Sequence, residues 1–209
     1  LGIEDCPMAC YNGALIQKGE QVLFEHPVNK TEARNFIDWV NQHFPQVSIN
    51  LYSGKDWMTD RLDQWSQEEA RITGEKPLIL PLLDPLLDAT KPLHKLLLIG
   101  EPEEIQALYR TISADDFPST AFYLSKANYL EVTAKQVSKE DALVELANHY
   151  HLCLEEVLTM GDNFNDLPML KKAGIGVAMG NAPQEVKDGA TVVTKTNNEN
   201  GAGQAGETY

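Results

Sequence analysis

The chain has 209 residues, 43% of them hydrophobic and 23% charged, which is typical of a globular protein with one large or two small domains. Its 17 Lys and Arg against 31 Asp and Glu give a net charge of −14, which argues against nucleic acid or an anionic membrane as a partner. The 3 cysteines show no C-x-x-C spacing, and the sequence shows no apolar leader and no membrane-spanning segment. We therefore expect a soluble, cytoplasmic protein.

The first part of the chain predicts strands, tight turns and one helix. An Asn-Gly pair at residues 12–13 lies between apolar segments, and a second turn is predicted at residues 18–20. Thr31 is predicted to cap a helix whose apolar residues recur at helical spacing. Alternation with period two over residues 47–52 predicts a half-exposed strand.

The middle of the chain continues this mixed pattern. A helix, a proline-rich irregular or edge segment, a strand, a helix and two strands are predicted in turn at residues 59–74, 77–93, 96–100, 102–112, 121–124 and 129–133. This order predicts a compact α+β unit, residues 25–133, with an antiparallel or mixed sheet and helices on one face.

From Ser138 onward, helices and strands alternate. Ser138 is predicted to cap a helix that runs to about residue 150, and strands and short helices then follow one another. The strands are predicted at residues 157–160, where the strand should be buried, 175–179 and 191–194. Such alternation predicts a doubly wound parallel sheet, and the glycine-rich tail from Asn197 should be at best a frayed helix.

An acidic turn follows the strand at residues 157–160. It contains Asp162, Asn163, Asn165 and Asp166 at a strand-to-helix junction, where ligands bind in open α/β sheets. Mg²⁺ takes one or two protein carboxylates and completes its shell with water and substrate phosphate, so these residues suit magnesium. A calcium loop fits poorly, because a leucine would stand at the required glycine. Side chains of these types also cap helices, and the residue types alone leave both interpretations open.

Lys139 is the second candidate. It stands in the first turn of a predicted helix, where an anion is favoured, and it precedes the acidic turn in the same series of elements. A lysine there could neutralise a phosphoryl group bound beside a metal ion. A solvated surface lysine is the alternative.

Several segments together resemble a known family. They are residues 12–14, 129–132, 138–143, 161–166, 179–182 and 196–201, in this order. They resemble the Cof-type branch of the haloacid dehalogenase superfamily, cytosolic Mg²⁺-dependent phosphatases of sugar phosphates and similar small metabolites. The resemblance implies a Rossmann-like core with an inserted α+β cap: residues 1–24 and 134–209 would form the core and residues 25–133 the cap, which would select the leaving group.

The resemblance also implies roles for individual residues. Lys139 would bind phosphate and take part in catalysis, and Asp162 would be a magnesium ligand. Asp166 would act in catalysis and support the metal shell as a second metal-site carboxylate. Asn165 and Asn12 would contact the substrate phosphate. Neither the particular substrate nor the oligomeric state follows from the sequence.

One family motif is absent. The family's nucleophile and general acid lie in an Asp-x-Asp-Gly motif on the first core strand, and this sequence has no such motif. Removing that strand would leave several buried polar groups unpaired at roughly 1–3 kcal/mol each, against a domain stability of about 5–15 kcal/mol. We therefore expect the parent protein to have a preceding segment, unless the sheet is completed in another way.

This absence leaves alternative functions open. The leading hypothesis is a phosphatase whose nucleophile lies outside these residues, so that this polypeptide alone would not hydrolyse p-nitrophenyl phosphate. A non-catalytic pseudophosphatase or interaction module is the second hypothesis, and a phosphotransferase of the same superfamily is the third.

Overall fold

A computed structural model of the protein describes residues 6–208, and the chain forms two compact units, residues 1–137 and 138–209. Residues 1–5 and 209, which belong to the predicted core, lie outside the described residues. The assignment of residues 1–24 to one core with residues 134–209 stays a prediction. Across the described part of the chain, no helix is long and apolar enough to cross a membrane.

The first unit begins with a small antiparallel sheet. Its strands are β1 (Met8–Cys10), β2 (Leu15–Lys18) and β3 (Gln21–Glu25), paired in that order. The predicted Asn-Gly turn is a 3₁₀ turn, Tyr11–Gly13, between β1 and β2. Both Tyr11 and Asn12 adopt left-handed backbone conformations, with φ of 55° and 57°.

The rest of the first unit contains the predicted helices and strands together with one strand and one short helix that were not predicted, at residues 56–59 and 83–87, and the helix predicted from residue 59 begins at residue 64. The elements are α1 (Lys30–His43), β4 (Ser48–Ser53), β5 (Asp56–Thr59), α2 (Gln64–Thr73), β6 (Leu78–Ile79), α3 (Leu83–Leu87), β7 (Lys95–Ile99), α4 (Pro102–Thr111), β8 (Thr120–Lys126) and β9 (Tyr129–Ala134). The predicted cap at Thr31 is wrong. Asn29 is the N-cap, because its side chain accepts hydrogen bonds from the amides of Thr31 and Glu32.

Six strands of this unit form one mixed sheet in the order β6-β5-β4-β7-β9-β8. Only β5 and β6 pair in parallel. The prediction of a half-exposed strand near residues 47–52 is wrong: β4 lies inside the sheet, and all its residues except Tyr52 are buried. Its alternating polar residues are buried because both faces of the sheet are covered here.

Helices cover both faces of this sheet. One face packs its apolar side chains against α1, α3 and α4 in the main core of the unit. On the other face, Trp65 of α2 packs against Leu97, Ile99 and Tyr129. Helices therefore lie on both faces, contrary to the prediction of helices on one face. The Tyr129 hydroxyl also donates to Glu69 of α2 at 2.6 Å, so α2 is attached by polar and apolar contacts together.

The second unit has the predicted parallel sheet. Its elements are α5 (Lys139–His149), β10 (Leu158–Gly161), α6 (Leu167–Lys172), β11 (Ile175–Ala178), α7 (Gln184–Gly189), β12 (Val192–Val193) and α8 (Gly201–Thr208). The strands pair in parallel in the order β10-β11-β12. Helices α6 and α7 make the crossovers and bury Leu170 and Val186 against the sheet. The α/β fold class is confirmed.

Two expectations for the second unit need correction. Among the described residues of this unit, β10 pairs only with β11, so it is an edge strand in which Thr159 alone is buried rather than a fully buried strand. The tail forms a regular helix, α8, that buries Gly201 and Ala205. Gly201 permits this packing, because a Cβ there would lie 2.0 Å from the Lys195 carbonyl oxygen.

A buried histidine lies between two polar partners in the first unit. His94 is 1% exposed, its Nδ1 lies 2.9 Å from the amide of Gly54, and its Nε2 lies 3.2 Å from the carboxylate of Glu25. A backbone amide can only donate, so Nδ1 must be the unprotonated acceptor and Nε2 carries the proton. Burial lowers the pKa of His94 from its ordinary value of 6.5, although Glu25 opposes this shift.

We expect the free energy of unfolding to fall as the pH is lowered below 6.5, the ordinary pKa of histidine, since the unfolded chain then binds a proton that folded His94 resists. The contribution of neutral His94 to stability is fully present above the pKa of histidine in the unfolded chain and is lost as the pH falls below that value. Urea unfolding at several pH values measures this effect, and His94→Gln should flatten the profile. His43→Gln, at the exposed end of α1, is the control. An unchanged profile in His94→Gln would contradict the assignment.

Candidate functional site

A buried carboxylate organises the acidic turn. Asp166 is 3% exposed, and its Oδ1 lies 2.5 Å from the ammonium nitrogen of Lys139. Its Oδ2 accepts hydrogen bonds from the amides of Asp162 and Asn163, at 2.9 and 3.0 Å. The charge of this carboxylate is therefore compensated by one cation and two backbone donors, as a buried charge requires.

The local sequence explains how these groups meet. Ser138 caps α5 by accepting from the amide of Asp141, which places Lys139 at the first position of that helix. Asp166 immediately precedes α6, whose start is favoured by the proline at residue 168. Gly161 allows the close approach, because a Cβ there would lie 2.4 Å from the Cβ of Asp166.

The helix-cap interpretation of Asp166 is not supported. Asp166 stands at the N-cap position of α6, yet its side chain makes no capping hydrogen bond to that helix. The carboxylate instead turns back to amides that precede it in the chain. Its bonds therefore shape the turn that carries Asp162.

Asp162 faces outward. It is exposed, and its Oδ2 accepts a hydrogen bond from the side-chain amide of Asn181 at 2.9 Å. The side-chain oxygen of Asn181 in turn accepts from the amide of Asn197 at 3.1 Å. Asn181 thus connects Asp162 to the segment before α8. The sequence marked the residues near Asn181 only through the family resemblance, because an asparagine after a strand carries no signal of this contact.

The other two predicted site residues lie in different settings. Asn165 is exposed within the same turn as Asp162. Asn12 belongs to the first unit, where its side-chain amide donates to the hydroxyl of Tyr123. The structure therefore brings together Lys139, Asp162, Asn165 and Asp166 in one unit. A phosphate-binding role for Asn12 stays a prediction.

The donor set fits magnesium better than a metal caged by protein. Within residues 6–208, no group of three or more His, Cys, Asp or Glu side chains is placed to hold a metal ion. Asp162 offers one exposed carboxylate, while both oxygens of Asp166 are engaged. Mg²⁺ commonly binds through one or two carboxylates and keeps water and phosphate in its remaining positions. These residues form a candidate phosphate-and-metal site on an α/β fold.

Comparison with known proteins shows the family to which the chain belongs. Residues 1–205 match the family model of the haloacid dehalogenase-like hydrolases, so the chain belongs to that family. The resemblance to its Cof-type branch is confirmed. A crystal structure of a haloacid dehalogenase-like hydrolase from Bacteroides thetaiotaomicron is similar, with 30% identity and a TM-score of 0.83, and the match covers 94% of this chain and 74% of that one.

Curated relatives carry phosphatase names. A Haemophilus influenzae protein named as a phosphatase, with no substrate given, is 40% identical over 79% of this chain and 61% of its own length. The 5-amino-6-(5-phospho-D-ribitylamino)uracil phosphatase YwtE of Bacillus subtilis is 30% identical over 75% of this chain and 54% of its own length. The chain thus spans less than two thirds of either relative. Its family is one of hydrolases, with phosphoric monoester hydrolases among its relatives.

We expect Gly161→Ala to disturb the site by pushing Asp166 away from Lys139. The overpacking should lower the free energy of unfolding by about 1–3 kcal/mol, measured by urea unfolding. Gly206→Ala in α8 is the matched control, since its Cβ would meet only Met160 at 3.9 Å. Alanine should there raise the stability by roughly 0.5–1 kcal/mol. Equal effects of the two substitutions would contradict the close packing of Asp166.

Proposed function

We propose that the protein is a Mg²⁺-dependent phosphatase of small phosphorylated metabolites such as sugar phosphates. The observation that carries the proposal is the pairing of buried Asp166 with Lys139 beside the exposed carboxylate of Asp162. A structural ion pair alone would not explain an acidic side chain held outward at the carboxyl end of a parallel strand. Ligands bind at this edge of α/β sheets.

Each residue has a distinct proposed role. Asp162 holds Mg²⁺, and Asn181 fixes the orientation of its carboxylate. Asp166 positions the ammonium group of Lys139, which is 35% exposed and keeps donors for a phosphoryl oxygen. The amide of Asn165 provides a further phosphate contact. Bound magnesium would supply charge stabilisation for the phosphoryl group.

The substrate class rests on chemistry and on relatives. The net charge of −14 disfavours a polyanionic substrate such as nucleic acid, whereas a small phosphate can be bound through one lysine and one metal ion. The name of YwtE specifies a phosphorylated ribityl compound, a small metabolite with several hydroxyl groups. We assign the same general class here and a cytoplasmic location with it.

The nucleophile is not among the assigned residues. The family's Asp-x-Asp-Gly motif does not occur in the 209 residues, so we assign only the metal and phosphate half of the site. That this polypeptide alone fails to hydrolyse p-nitrophenyl phosphate stays a prediction. The phosphatase names of the relatives favour an enzyme over the pseudophosphatase or interaction module.

We expect Asp162→Asn to weaken Mg²⁺ binding by roughly a hundredfold, because loss of the carboxylate removes the charge that the metal ion needs. Isothermal titration calorimetry on the purified chain measures the affinity. Release of phosphate from p-nitrophenyl phosphate by the natural gene product measures activity, which should fall in parallel.

Asp188→Asn is the control for this experiment. Asp188 is an exposed carboxylate on α7 that accepts a hydrogen bond from Gln184 at 2.7 Å, outside the acidic turn. It should retain wild-type Mg²⁺ affinity and activity. Activity without Mg²⁺, or full activity in Asp162→Asn, would sink the proposal.

A further inference from the structure

Exposed apolar side chains are concentrated at one edge of the six-stranded sheet. Strand β6 forms this edge, and among the described residues it pairs only with β5. Five large apolar side chains, each between 42% and 65% exposed, lie on β6 or on the segments that adjoin it: Leu62, Leu78, Ile79, Leu83 and Leu87. We call these residues the β6 edge surface. Exposed apolar patches of this kind often mark contacts between proteins.

A groove lies on one side of this edge, between β6 and α2. Its volume is about 600 Å³, and its apolar lining includes Leu62, Pro77 and Ile79. Its charged lining residues are Arg71, Glu75 and Lys76, two basic and one acidic, in a chain with a net charge of −14. The groove is therefore an apolar surface with a basic component, on the face of the sheet that α2 covers.

Helix α3 lies on the other face of the sheet. It buries Pro85 and Leu86, and Leu86 belongs to the main core. Leu83 and Leu87 are one helical turn apart on its exposed side, and helical geometry places the exposed Asp84 beside them. The exposed side of α3 thus carries two apolar side chains and one carboxylate.

The groove and the exposed side of α3 are complementary in chemistry. Arg71 already forms an ion pair with Glu68 at 2.6 Å. The ammonium group of Lys76 and the carboxylate of Asp84 have no hydrogen-bond or ion-pair partner within residues 6–208. A helix that places apolar side chains in a groove, with opposite charges beside them, is a common mode of recognition.

The positions of these two features favour a second copy of the chain as the occupant. Helix α3 cannot enter the groove of its own molecule, because α3 and α2 lie on opposite faces of the sheet. A two-fold axis parallel to β6 exchanges the two faces and brings each α3 opposite the groove of the other copy. Such an axis makes the same contact twice and closes the assembly at two copies.

An extended peptide is less suited to this edge. The amide of Leu80 donates to the carbonyl of Thr59 at 3.0 Å, so the backbone alternation directs the polar groups of residues 77, 79 and 81 outward. Pro77 and Pro81 have no N–H group, which leaves Ile79 as the single outward donor among these three. Addition of a strand requires a row of donors and acceptors, so a partner here binds through side chains.

The exposed apolar area fits a small dimer interface. At about 130 Å² for a fully exposed leucine or isoleucine side chain, five side chains that are half exposed offer roughly 350 Å² per copy. Homodimer interfaces are about 65% apolar, so the total buried area would be roughly 1,100 Å², at the lower end of specific interfaces. An interface of this size is typical of reversible association.

We propose that the chain forms a reversible dimer through the β6 edge surface, with α3 of each copy in the groove of the other. Leu83 and Leu87 contact the apolar lining of the groove, and Asp84 of one copy pairs with Lys76 of the other. The dissociation constant lies in the micromolar range. The proposal concerns only the first unit and does not depend on phosphatase activity.

Sedimentation velocity of the purified chain, from micromolar to submillimolar concentrations, tests the proposal. The mass should rise from 23.2 kDa toward twice that value. Leu87→Lys places a cation opposite the basic groove and should weaken the dimer roughly tenfold or more. Val22→Lys is the matched control, because Val22 is 49% exposed on β3, outside the β6 edge surface, and its dimer should be unchanged.

A charge exchange tests the predicted pair. Lys76→Glu faces Asp84 of the other copy and should weaken the dimer roughly threefold to tenfold, and Lys76→Glu/Asp84→Lys should restore it. Misfolding of the single variant would not be repaired in this way. A monomer at every concentration, equal weakening by Val22→Lys, failure of the double variant to restore the dimer, or a natural gene product that stays monomeric would each overturn the proposal.

Discussion

The buried carboxylate of Asp166 is the interaction on which the site depends. A buried carboxylate without partners is costly, and here Lys139 and two backbone amides compensate it. These partners come from the start of α5 and from the turn after β10. Because all of them are needed to satisfy one group, the carboxylate fixes the distance between a helix start and a strand end.

This arrangement places the two carboxylates of the acidic turn in different environments. Asp166 is directed inward and is saturated with hydrogen bonds, whereas Asp162 is directed outward and keeps an oxygen available. Lys139 offsets the charge of Asp166, so Asp162 presents the negative charge that attracts a cation. Asn181 limits the motion of that carboxylate by linking it to the amide of Asn197. Under the proposed function, magnesium binding and phosphate binding would then have separate residues in one small region.

Much of the second unit could be predicted from its sequence, because its signals are local. The alternation of apolar segments and caps predicted the parallel sheet, and the positions of Asp162 at a strand end and Lys139 at a helix start made them candidates, whose roles came from the family resemblance. The inward direction of Asp166 could not be predicted. It depends on the close packing of Asp166 against Gly161 and on an ion pair with Lys139, which is distant in sequence. The regular helix in the tail was not predicted, because its many glycines lower the helix propensity of this segment. In the structure, burial of Gly201 and Ala205 outweighs that low propensity.

In the first unit, the error at β4 arises from contacts between elements that are distant in sequence. β4 has the alternating pattern of a half-exposed strand, but its polar side chains are buried because partners on neighbouring elements satisfy them: Asn50 accepts from Trp57 at 2.8 Å. The ion pair between Lys95 and Glu131 likewise joins two strands that are not adjacent in sequence. Pairing across a sheet depends on register, which one sequence does not reveal.

The most direct test of the phosphate and metal site is an amide NMR titration of the purified chain with Mg²⁺ and inorganic phosphate. The account predicts that the largest amide shifts occur in the acidic turn, at Gly161, Asp162, Asn163 and Asn165. The side-chain signals of Lys139 should also shift, and the amides in the sheet of the first unit should not. Shifts that miss the acidic turn, or that appear equally in Asp162→Asn, would contradict it.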